Sequence, residues 1–89
     1  MTGISWEKTT EEAFNKIIDK VPVFLRDTAR EKVSRRAELF ARESGGGKVT
    51  EADMVRAFFK ETPGGFWGPL QVDMESIGLD YTKYGIDRV

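Results

Sequence analysis

Apolar residues recur at steps of three and four along three stretches of the chain, which predicts three amphipathic helices. The longest stretch covers residues 21–47, where Leu25, Ala29, Val33, Ala37, Phe40 and Ala41 form one stripe. Pro22 suits the first turn of this helix, where its missing N–H has no partner to lose. Gly45, Gly46 and Gly47 close it, and Gly45 is able to take the left-handed conformation that ends a helix. A shorter helix precedes it, expected to start near Thr9 with Glu12 completing a capping box. Phe14, Ile17, Ile18 and Val21 form its apolar face, and Pro22 ends it. The third helix is expected to start at Thr50, with Asp53 three residues on and Glu51 favouring the positive end of the helix dipole. Met54, Val55, Phe58 and Phe59 form its wide apolar face, and it stops near Pro63. Residues 1–8 are a lead-in whose Trp6 is expected to pack back on the domain.

The polar side of the long helix carries Asp27, Glu31, Ser34, Arg35, Glu38 and Arg42. Its pairs Glu31 with Arg35 and Glu38 with Arg42 have the favourable orientation, each contributing roughly 0.2–0.5 kcal/mol. Arg26 and Arg30 lie instead at the small-residue edge of the apolar stripe. Two readings stand for them: stems laid on the core with heads paired to neighbouring acids, or a docking or anion-binding pair.

Residues 63–89 obey no clear period. Phe66 and Trp67, set among glycines and followed by Pro69, predict a loop. Leu70, Met74 and Ile77 suit a short helical turn or two. Leu79, Tyr81, Tyr84 and Ile86 suit an extended, half-packed end. This segment either covers a thin three-helix core or presents aromatic anchors to a partner.

Composition narrows the chemistry. At 89 residues the chain is one domain, with no cysteine and no histidine. It has no disulfide, no cysteine-held metal or cluster, and none of the commonest general base. No apolar run is long enough to span a membrane, and the opening M-T-G-I-S-W-E-K does not read as a signal peptide, so a cytoplasmic protein is expected. The net charge of −1 disfavours a general nucleic-acid binder. Charge is uneven, however: residues 26–48 hold seven Lys or Arg against four Asp or Glu, whereas residues 61–89 hold two against five. The two regions are expected either to attract one another or to face different partners. Gly45-Gly46-Gly47-Lys48 lacks the spacing of a phosphate-binding loop.

The segments V-P-V-F-L-R-D-T-A-R from Val21, F-A-R-E-S-G from Phe40 and V-T from Val49, with Trp6 and Ala13 ahead, carry a family likeness. Over about residues 6–60 the chain resembles the C-terminal domain of the B subunit of light-independent (dark-operative) protochlorophyllide reductase. That enzyme is an iron–sulfur oxidoreductase of chlorophyll biosynthesis, and its catalytic body lies outside this domain. The resemblance implies a short–long–short helical fold, a larger protein subunit as partner and, as a variant, a tetrapyrrole met by aromatic rings and the Arg26/Arg30 pair. The expected architecture is all-α: a compact three-helix domain over residues 1–62 with a Gly/Pro/aromatic extension over 63–89. The expected role is a non-catalytic accessory or interaction domain, with Arg26, Arg30, Phe66 and Trp67 as candidate binding residues. No catalytic residue, metal or cofactor is assigned. The alternative is a histone-like helical nucleic-acid module.

Overall fold

A computed structural model describes residues 4–89 of the protein; the first three residues of the lead-in lie outside the described residues. Among the described residues the fold is all-α, with four helices: α1 (Lys8–Ile18), α2 (Val23–Glu43), α3 (Glu51–Glu61) and α4 (Trp67–Ser76). Single 3-10 turns at Gly64–Phe66 and Tyr81–Tyr84 flank α4. Two short strands, β1 (Ser5–Trp6) and β2 (Lys48–Val49), pair in parallel, with Ser5 opposite Lys48 and Trp6 opposite Val49.

That pairing corrects the expected start of α1. Glu7 N–H donates to the Val49 carbonyl at 3.1 Å, so the chain leaves the ladder straight into the helix. Lys8 therefore starts α1, ahead of Thr9, and no side chain caps it. Thr10 is buried, and its hydroxyl donates back to Glu7. Trp6 packs on the domain, 4.9 Å from Phe14 between ring centroids, and its indole N–H donates to Glu38 at 3.0 Å. Glu38 is consequently buried rather than on an open polar face, and its carboxylate is held by the tryptophan. Glu31 and Arg35 do approach, at 3.4 Å, as a solvated pair.

Pro22 caps α2, and Gly45 ends it at φ 76°. Gly45 N–H returns to the Arg42 carbonyl and Gly46 N–H to that of Ala41, the two bonds of a Schellman motif. Thr50 and Asp53 exchange both bonds of a capping box at the start of α3. The core lies where α1, α2 and α3 meet, around Phe14, Ile17, Ile18, Val33, Ala37, Met54, Val55 and Phe58. Alanines at 37 and 41, with no exposed surface, let α3 approach α2 closely.

The C-terminal segment departs from the expected loop and extended end. Trp67 begins a ten-residue helix, because Pro69 falls in its first turn, where proline costs no hydrogen bond. Gly78, at φ 76°, ends α4 with a second Schellman motif, donating to Glu75, while Leu79 donates to Met74. Leu70, Met74, Leu79 and Tyr81 are buried with the three-helix core, and Phe59 meets Trp67 edge-on at 5.0 Å. Gln71, fully buried, ties down the end of the chain: its amide donates to the Asp87 carbonyl, and its oxygen accepts from Val89 N–H and Arg88. The radius of gyration, 12.2 Å, equals the ~12 Å of a compact chain this long. Among the described residues no helix is long and apolar enough to cross a membrane.

Candidate docking cleft

The apolar stripe of α2 does not end where the core ends. Val33, Ala37 and Ala41 are buried, but at the start of the helix Val23 is 75%, Phe24 84% and Leu25 47% exposed. Among the described residues no element covers these three side chains. From Pro22 the surface runs into a cleft of about 310 Å³. Ile17 and Val21 on the α1 side, Pro22, Ala29 and Val33 on α2, Phe58 on α3 and Pro69 and Leu70 on α4 make its walls. Phe66 stands at the rim, 64% exposed, and Lys20, Lys32, Glu61 and Asp73 supply the polar edge. A second groove shares Lys32 and Glu61 with the first and continues along α2 past Arg35, Arg36, Leu39 and Arg42. Glu61 is committed to Arg36 at 2.8 Å, a contact that joins the basic middle of the chain to its acidic end. The remaining cations leave this groove positive.

The four candidate residues do not converge on one site. Arg26 lies at the α1–α2 corner, where its guanidinium donates to the Asp19 carbonyl at 2.9 Å and to the Val21 carbonyl at 2.9 and 3.2 Å. It closes the carbonyl end of α1, where a cation also suits the helix dipole. Arg30 donates to the Asn15 side chain at 2.9 Å and rests 5.9 Å from the Phe14 ring centroid. Both arginines thus hold α2 against α1, and their partners are carbonyl oxygens and a ring rather than acids. Trp67 packs on Phe59 and donates to the Thr62 carbonyl at 2.9 Å, so it anchors α4. Phe66 alone of the four borders the cleft.

Sequence reasoning missed Lys20, Lys32 and Asp73 at the cleft edge. A signal existed: three successive apolar residues, Val23 to Leu25, exceed what one helical face buries. The perturbed titrations lie elsewhere. Tyr84 donates to Glu51 at 2.5 Å, and that carboxylate, together with burial, pushes its hydroxyl up to about 12. Burial and the Glu75 carboxylate it donates to raise Tyr81 as well. The Thr82 hydroxyl holds Asp80 below the usual carboxylate range while Asp80 caps the last 3-10 turn. These bonds fasten the C-terminal segment. Among the described residues no group of three or more acidic side chains is placed to hold a metal ion.

No protein-family model, curated protein or solved structure matches the chain.

Proposed function

We propose that the protein is a non-catalytic accessory module that docks a larger protein through this cleft, and that it is related to the C-terminal domain of the B subunit of light-independent protochlorophyllide reductase. The observation that carries the docking role is the apolar shelf at Val23, Phe24 and Leu25 beside an open apolar cleft rimmed by Phe66. Large apolar side chains left in water next to a concave surface mark an interaction site. The family relation rests on V-P-V-F-L-R-D-T-A-R and F-A-R-E-S-G. It brings an oxidoreductase system of chlorophyll biosynthesis in the cytoplasm as the setting, and this chain supplies contact rather than chemistry. A nucleic-acid module is the second reading, favoured by Lys32, Arg35, Arg36 and Arg42 along one groove. The net charge of −1 and the exposed Phe24 and Leu25 weigh against it.

The test is affinity purification of the tagged full-length protein from its native cells, beside Phe24→Glu and Phe66→Ser variants. A large cofactor-bearing subunit held by the parent chain and lost by both variants supports the reading. Retention of nucleoid proteins that nuclease releases would replace it with the second.

A further inference from the structure

The outward face of α2 carries a pattern distinct from its core stripe. Leu25, Thr28, Lys32, Arg35, Leu39 and Arg42 follow one another at alternating steps of three and four. All of them are exposed. This is the spacing of the contact seam between two helices wound on one another. From Leu25 to Leu39 the seam is about 21 Å long, at 1.5 Å per residue. Its upper half borders the apolar cleft through Lys32, and its lower half is the cationic groove.

We infer that this face of α2 takes an amphipathic helix of the partner protein whose contact residues are apolar opposite Leu25 and Leu39 and acidic opposite Lys32, Arg35 and Arg42. The inference rests on the docking reading above and specifies the partner segment. Three observations select this occupant. A small anionic ligand in the 310 Å³ cleft would leave Phe24, Leu25 and Leu39 in water. A phosphate backbone would match the cations but would desolvate against two leucines. A second copy lacks the complement: its own seam sets Lys32, Arg35 and Arg42 against themselves, and α4, next to the acidic end, exposes one large apolar side chain, Val72. Arg35 is free to exchange partners, since its contact with Glu31 is fully solvated, at 78% and 69% side-chain exposure. A helix laid along a groove and read through anchors at such spacing is a common mode of peptide recognition.

The probe is a three-heptad helical peptide with Leu at the positions facing Leu25 and Leu39 and Glu at those facing the cations. Its control carries Lys in place of each Glu. Binding to the full-length chain is followed by amide chemical shifts. The Glu peptide is expected to shift residues of the α2 face and the cleft rim and to weaken several-fold as salt is raised. The paired substitution Lys32→Glu and Arg35→Glu, both on solvated side chains, is expected to weaken it roughly ten-fold or more and to restore the Lys peptide. Equal binding of both peptides, shifts centred elsewhere, or self-association through α2 would overturn the inference. The docking reading is judged separately. If the native partner is captured equally well by the Lys32→Glu/Arg35→Glu chain, docking stands and the acidic-helix assignment fails. If the Glu peptide binds as described but no large partner is captured, the recognition chemistry stands and the accessory role fails.

Discussion

Thr50 shows how much one hydroxyl carries where strand, turn and helix meet. Its side chain accepts from Asp53 N–H at 3.4 Å, while the Asp53 carboxylate, itself buried, accepts from Thr50 N–H at 3.0 Å. Thr50→Ala removes the cap and leaves Asp53 with one fewer donor. The expected loss is about 1–2 kcal/mol of unfolding free energy, read from urea denaturation of the parent and variant. Tyr84 offers a second test, with a sign fixed by linkage. An unfolded tyrosine ionises near 10, whereas Tyr84 is held up to about 12. Between those values the folded state keeps a proton that the unfolded chain has lost. The Tyr84–Glu51 contribution is therefore complete below about pH 10 and disappears as pH climbs towards 12. Ultraviolet titration should show both tyrosines ionising above the normal range, and Tyr84→Phe should make stability fall less steeply along that alkaline limb.

Among the elements, α2 was the most legible and α4 the least. Pro22 and the glycines after Ser44 are strong punctuation, and each acts on the backbone directly, so the neighbours matter little. In α4 the punctuation misleads. Gly68 and Pro69 resemble a loop, but both lie in the first turn, and Gln71 is buried where a helical pattern calls for an apolar residue. The real stop, Gly78, was readable in principle: it follows Met74 and Ile77 as a helix-ending glycine should. The strand pair at Ser5–Trp6 and Lys48–Val49 left no period to detect, since two residues cannot alternate. Because α4 completes the core, Met74→Ala should cost about 2–5 kcal/mol, a large part of the 5–15 kcal/mol typical of a domain. Calorimetry of that variant should show a transition lowered by many degrees. A chain cut after Glu61 should lose its cooperative transition altogether, since Phe59 would then face water.

For the molecule as a whole, the decisive contrast is between two phenylalanines of similar sequence character. Phe59 is 3% exposed and meets both Trp67 and Tyr81, whereas Phe24 is 84% exposed and meets solvent. Phe59→Ala should cost about 3–5 kcal/mol. Phe24→Ser should change stability by no more than about 0.5 kcal/mol, and its effect should appear in partner capture instead. Thermal unfolding of the two variants side by side separates the core from the docking surface. Equal losses would show that the first turn of α2 is structural and would remove the basis for the cleft as an interface.

The chain's local chemistry sufficed for the helical class, for the positions of α2 and α3, and for the caps at Thr50 and Gly45. Each of these depends on periodicity or on a backbone preference that acts within a few residues. Which apolar residues are surplus to the core depended on assembly. Phe66 and Trp67 are neighbours in sequence, yet one borders the cleft and the other is wedged against Phe59. Arg26 and Arg30 came to face α1 through the angle of a single corner, with carbonyls and Asn15 as partners. Helix packing sets such angles together with the local turn at Pro22. For that reason the helices could be read along the chain, while the surface they leave open could be read only after they had packed.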